Sequence, residues 1–130
     1  MSNQNVYHGR QTKDIVAHIR EHYEVEPEFL WEKYPGFCIF RNTHNRKWFA
    51  LLARITARQL GLERDGYVEI LNLRFDRGGA PDLVATRKNF FPAYHMNKNN
   101  WLTVLLDGKM KDEEIFELIE NSYVLIGVGE

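Results

Sequence analysis

The chain has 130 residues, 44% of them hydrophobic and 13% aromatic, and a net charge of −1. That is the length of one domain, enough to bury roughly two thirds of the surface an unfolded chain exposes, and the composition excludes disorder. A lone cysteine, Cys38, excludes an internal disulfide and suits a reducing cytoplasm.

Residues 1–10 read as a flexible start to a single domain spanning 1–130, and the polar Met1–Asn5 predicts no secretory leader. Ile15, Val16, Ile19 and Tyr23 recur at helical spacing and predict a helix over 12–24, with Thr12 as its N-cap. Residues 24–33 are acidic, contain Pro27, and predict a connecting loop that carries Phe29 and Trp31. Pro35-Gly36 turns the chain into a strand over 37–41. Asn42-Thr43-His44-Asn45 predicts a hairpin turn into a second strand over 47–55. Strict alternation there would put Trp48, Ala50, Leu52 and Arg54 on one face.

A polar loop over 59–66 ends at Arg64-Asp65-Gly66 and leads to a third strand over 67–75. Gly78-Gly79-Ala80-Pro81-Asp82 starts a short helix that runs to Lys88, with Pro81 suited to its first turn. Phe90-Phe91-Pro92 ends that helix and a short strand follows over 93–96. A turn at 97–100 precedes a strand over 101–106. Asp112-Glu113-Glu114 favour the positive end of a last helix, with Ile115, Phe116, Leu118, Ile119 and Tyr123 as its buried face. The apolar tail 124–128 packs or pairs. The order α-β-β-β-α-β-β-α, with hairpin-length links, predicts a two-layer α+β fold in which helices cover an antiparallel sheet.

Charge is unevenly distributed along the chain. Residues 33–54 hold Lys33, Arg41, Arg46, Lys47 and Arg54 with no acid, and residues 86–111 hold Arg87, Lys88, Lys98, Lys109 and Lys111 against Asp107 alone. Acidic segments precede and follow these two blocks. Brought together by the fold, the blocks would form the positive face of a polyanion binder. A pI near 6.5, far below the values above about 9 of dedicated nucleic-acid binders, fits a balanced surface equally.

The stretch Tyr94-His95-Met96-Asn97-Lys98, with Trp101 and then Val104, Leu106, Asp107 and Gly108, resembles a segment of the MmcQ/YjbR family. Ser122-Tyr123 also fits that family, and Arg46-Lys47-Trp48-Phe49-Ala50 matches one of its strand starts in part, with Trp48 where the family often has Met. The resemblance implies a fold similar to that of secretion chaperones, and family members are commonly described as DNA-binding.

The residues themselves admit that role. Arg46, Lys47, Arg87, Lys88 and Lys98 suit phosphates, His95 and Asn97 offer hydrogen bonds, and Trp101 or Trp48 can stack on an unpaired base. Each has a plainer reading. The Asn-Lys-Asn-Asn run is a natural turn, Trp101 suits a core or sheet face, and His95 suits a local hydrogen bond. Catalysis lacks a signature: Cys38 lies in an apolar strand, Gly78-Gly79 lacks the lysine of a phosphate loop, and His18 and His22, one helical turn apart, have no third ligand marked. The expectation is therefore a cytoplasmic, monomeric, non-enzymatic binding module with no cofactor and no membrane partner. DNA is the first expected partner. A protein or peptide is the second, since the aromatics Phe29, Trp31, Trp48, Phe90 and Phe91 would form an apolar patch if exposed.

Overall fold

The computed structural model describes residues 6–76 and 78–128. Of the expected flexible start, residues 1–5 lie outside the described residues, whereas Tyr7 is buried in the core. The elements run α1 (Arg10–Tyr23), β1 (Phe37–Arg41), β2 (Trp48–Thr56), β3 (Tyr67–Arg74), α2 (Ala80–Thr86), β4 (Phe90–Pro92), β5 (Trp101–Leu105) and α3 (Asp112–Gly127). The five strands form one sheet in the order β1-β2-β3-β5-β4, antiparallel throughout. The fold is α+β.

Helices α1 and α3 cover one face. Ile15 and Ile19 of α1 and Ile115, Ile119 and Ile126 of α3 pack with Cys38, Phe40, Leu52, Leu71, Leu73, Leu102 and Val104. Among the described residues no α-helix covers the other face, and the only helical element to reach it is a short 3-10 turn at Arg58–Leu60. The apolar residues of this face, Ile39, Leu51, Ala53, Ile55, Val68, Ile70 and Leu105, are covered instead by side chains from connecting segments, among them Trp31, Leu60, Leu62, Tyr94 and Met96.

Four local expectations change. Helix α1 begins after Gly9, not at Thr12, and Gly9 gives it no side-chain cap. The carboxylate of Glu69, from β3, replaces that cap by accepting the His8 and Gly9 amides at 2.8 and 3.0 Å. The strand near 93–96 is instead Phe90–Pro92, and residues 93–96 leave the sheet. The apolar tail neither pairs nor packs separately, because α3 continues to Gly127.

The fourth change concerns Trp48. Phe40 pairs with Ala50 but Arg41 pairs with Trp48, so β2 bulges by one residue at Phe49. The bulge breaks alternation and moves Trp48 to the helix-free face with Leu51, while Phe49 and Ala50 both enter the helix-side core. Ser122 of α3 satisfies the disturbed backbone. Its hydroxyl donates to the Phe49 carbonyl at 2.6 Å and accepts the Arg74 amide at 2.9 Å.

Glu69 also accepts from Arg54 at 2.9 Å, and its side chain is 4% exposed. Burial alone would raise its pKa, but the nearby Thr12 hydroxyl and the hydrogen bonds from the two amides and Arg54 outweigh it and hold the carboxyl below its ordinary range. Its stabilisation is therefore complete above the unfolded carboxyl pKa and is lost as pH falls through the folded value. Glu69→Gln should cost about 3 kcal/mol in urea unfolding at pH 7. The deficit should shrink as the same titration is repeated at successively lower pH through the folded-state value, where wild-type Glu69 itself takes up a proton.

Candidate functional site

The helix-free face is not flush. A groove of about 520 Å³ opens there, lined by the rings of Trp31, Tyr34, Phe37, Trp48 and Tyr94 with Leu51, Gln59, His95 and Met96. Its volume lies in the range of small-molecule pockets. Trp31 stands edge-on to Trp48 at 5.8 Å and to Phe37 at 6.2 Å, forming one wall. A second hollow of about 400 Å³ adjoins it and shares Gln59, Tyr94 and His95. Lys98, Leu60, Phe91, Pro92 and Ala93 complete this second hollow. No carboxylate lines either one.

A buried polar clamp holds the opposite wall. Asn72 of β3 and Thr103 of β5 are paired across the sheet and are fully buried. The Thr103 hydroxyl donates to the Asn72 side-chain oxygen and accepts the Tyr94 amide at 2.9 Å. The Asn72 amide donates to the Tyr94 carbonyl at 2.8 Å. Both main-chain groups of Tyr94 are thus fixed over the sheet, in the way a further strand would be held. His95 follows in left-handed conformation, φ 59°, which a residue with a Cβ adopts at a cost of about 1–2 kcal/mol. Its ring meets Tyr94 edge-on at 4.1 Å. A strained non-glycine residue on a cleft wall is a recurrent mark of a functional site.

Gln59 is oriented by Thr56. Its side-chain oxygen accepts the Thr56 amide at 2.8 Å and the Thr56 hydroxyl at 3.0 Å. Its amide NH2 stays available on the wall common to both hollows.

The expected site residues separate. His95 lines both hollows and Lys98 lines the second, with its ammonium donating to the Ala93 carbonyl at 3.1 Å. Asn97 organises the turn instead: its side-chain oxygen accepts the Asn99 and Asn100 amides. Trp101 is half-buried against the helix-side core. Arg46 and Lys47 lie in the β1–β2 turn, where Arg46 approaches Glu28 at 3.6 Å and the Asn45 amide caps α3 at Ile126. Arg87 and Lys88 lie at the other end of α3, where Arg87 pairs with Glu114. From Glu114 to Ile126 is twelve residues, about 18 Å of helix. Arg46 and Lys47 thus lie near one end of α3, and Arg87 and Lys88 near the other.

Other singled-out residues take plain roles. Burial pushes the Cys38 thiol up to about 12, against the lowering effect of its hydrogen bond from Tyr7, so it stays protonated at neutral pH. His18 and His22 stack at 5.2 Å on α1. Burial, then His22, hold His18 below the ordinary histidine range. Among the described residues no group of three His, Cys, Asp or Glu side chains is placed to hold a metal. No helix among them is long and apolar enough to cross a membrane.

The profile of the YjbR family matches residues 20–125, which include both walls of the groove, the clamp and the basic blocks. The chain belongs to the YjbR family. It is 36% identical over 113 residues to the uncharacterised protein YyaQ of Bacillus subtilis, covering 87% of this chain and 95% of that one. A shorter match, 47% over 32 residues, joins it to uncharacterised YjbR of Escherichia coli, covering 25% of this chain and 27% of the relative. A crystal structure of a Pseudomonas syringae protein superposes with a TM-score of 0.83 at 36% identity, covering 87% of this chain and 96% of that one. A Deinococcus radiodurans protein containing a DUF419 domain shares the fold, at a TM-score of 0.61 and 24% identity over 85% of this chain and 77% of its own.

Sequence reasoning missed Asn72, Thr103 and Gln59. The first two are isolated polar residues inside otherwise apolar strands, and that contrast was the available signal.

Thr103→Val removes the hub of the clamp. It should cost about 1–3 kcal/mol and speed hydrogen exchange at the Tyr94 amide well beyond its effect on helix-side amides. His95→Gly removes the strain, so chemical denaturation should show stability unchanged or raised by up to about 1 kcal/mol, because glycine's greater unfolded-state entropy offsets part of the gain.

Proposed function

We propose that this YjbR-family chain is a non-enzymatic binding module that takes DNA through unpaired bases seated in the aromatic groove. The observation that carries this reading is a carboxylate-free cleft with five aromatic rings in its first hollow and Lys98 in its second. Base–aromatic stacking contributes about 1–3 kcal/mol per base and tolerates any sequence. Two hollows divided by the Gln59–Tyr94–His95 wall suit successive groups of an extended ligand. The oriented Gln59 amide suits the carbonyl edge of a base. Duplex DNA is the weaker candidate, since its backbone favours a continuous cationic face, whereas Arg46 and Arg87 are engaged by Glu28 and Glu114 near opposite ends of α3.

A peptide or protein partner is the second reading, favoured by the apolar floor at Leu51 and Met96. Salt separates the two. The proposal expects tryptophan quenching by an oligothymidine, little response to a hairpin duplex, and a log–log salt slope of about −1 to −2, the footprint of few phosphate contacts. Trp48→Ala should weaken oligothymidine binding about tenfold, in line with the loss of one stacked base. No quenching at low salt overturns the DNA reading, and salt-insensitive capture of an apolar peptide by the same groove would establish the second.

A further inference from the structure

A second concave site lies at the opposite end of α3 from the β1–β2 turn. A hollow of about 590 Å³ is bounded by the α2–β4 connection and the start of α3, and four cations line it: Arg87, Lys88, Lys109 and Lys111. Glu114 is the single carboxylate in its lining, and it is engaged by Arg87. Two acids next in sequence to lining residues or one removed, Asp107 and Asp112, are held in the protein's own hydrogen bonds. Asp107 accepts the Asn89 side chain at 3.0 Å and the Lys109 amide at 3.1 Å, and Asp112 accepts from Gln11 at 2.9 Å. Lys109 stands at 4.0 Å from Asp107, beyond hydrogen-bond reach. Lys88 and Lys111 have no ion pair among the described residues.

The hollow is held in shape by backbone pairing. Asn89 donates its side-chain amide to the Leu105 carbonyl at 3.2 Å, and the Leu105 amide donates to the Asn89 carbonyl at 3.0 Å. Gln11 ties the far wall, donating to the Met110 carbonyl at 2.7 Å and accepting the Gly108 amide at 2.9 Å. Arg87 lies over the Phe90 ring at 5.2 Å, which limits the directions its guanidinium can take. Lys111 occupies the N-cap of α3, and Asp112, Glu113 and Glu114 fill the first turn beside it.

We propose that this hollow is an anion site for a ligand that carries two adjacent phosphate groups. Four cations line the concavity against one lining carboxylate, with Asp107 4.0 Å from Lys109, and a ligand with two phosphate groups can meet more of them than a monovalent anion can. The Arg87–Glu114 pair is a built-in competitor: an arriving phosphate must take the guanidinium from the carboxylate. The site owes nothing to the aromatic groove. The shared chemistry is that of adjacent phosphates, whether in a small diphosphate or along a nucleic-acid strand.

The test is titration of the full chain with inorganic pyrophosphate at low salt, followed by amide NMR. The expected result is saturable movement of the Lys88, Asn89, Lys111 and Asp112 resonances. Lys88→Ala and Lys111→Ala should each weaken binding about fivefold, and Glu114→Gln, by releasing Arg87, should tighten it about threefold. An oligothymidine arm identifies the source, because movement at these four residues by the oligomer but not by pyrophosphate assigns the site to a strand backbone. Trp48→Ala should leave the pyrophosphate response unchanged, so this site and the groove can fail separately. No movement with either ligand up to about 10 mM, or binding indifferent to all three charge variants, overturns the proposal.

Discussion

The contact on which the helix-free face depends is the clamp of Asn72 and Thr103 on Tyr94. A five-stranded sheet has two faces to cover, and α1 and α3 cover one. The other must be closed by connecting segments, which have little packing of their own to hold them. Two buried polar side chains in an apolar face are costly unless every donor and acceptor is met. The groups that meet them here are one another and the Tyr94 main chain. The clamp thus gains its value from specificity. It selects one placement of residues 93–96, and that placement fixes Tyr94, forces His95 to positive φ and creates one wall of the groove.

This dependence also explains what could be read from the sequence. The strands were legible because apolar alternation is a local signal, and β1 appears over the expected residues. The segment after Pro92 was not. Ala93 to Met96 has the composition of a short strand, and its amide is indeed paired, but with side chains in place of a neighbouring backbone. Trp48 was misplaced for a related reason. A bulge is invisible to alternation, and its cause, the Ser122 hydroxyl waiting 73 residues away, belongs to another element. Tail residues 124–126 read as apolar and unplaced because α3 lacks a cap that the sequence announces; the Asn45 side chain reaches its last turns from the β1–β2 turn.

Charge tells the same story in three dimensions. The alternating basic and acidic blocks along the chain are largely folded against one another. Arg41 and Arg46 share Glu28, Arg54 meets Glu69, and Arg87 meets Glu114. A block that is uniformly basic in sequence therefore gives little net field once folded. What survives this pairing is informative: Lys88 and Lys111 at one end of α3, and Lys98 beside the aromatic cleft.

The groove combines a rigid floor with walls of a different character. Leu51 stands on a central strand paired on both sides, whereas Trp31, Tyr34, Gln59 and the 94–96 segment stand on connections. A substitution on the floor changes the core, but one on a wall changes what the cleft admits while the sheet persists. The fold survives at 24% identity in the Deinococcus radiodurans structure, so the sheet alone specifies no ligand. Among the wall residues, one combines a conformational cost with exposure to the cleft. His95 meets that description: it is exposed, left-handed and adjacent to a clamp that would hold Tyr94 equally well with glycine beside it. Glu24 and Arg46 share its positive φ, one at the end of α1 and the other in the β1–β2 turn, so among these three His95 is set apart by its place on the groove wall.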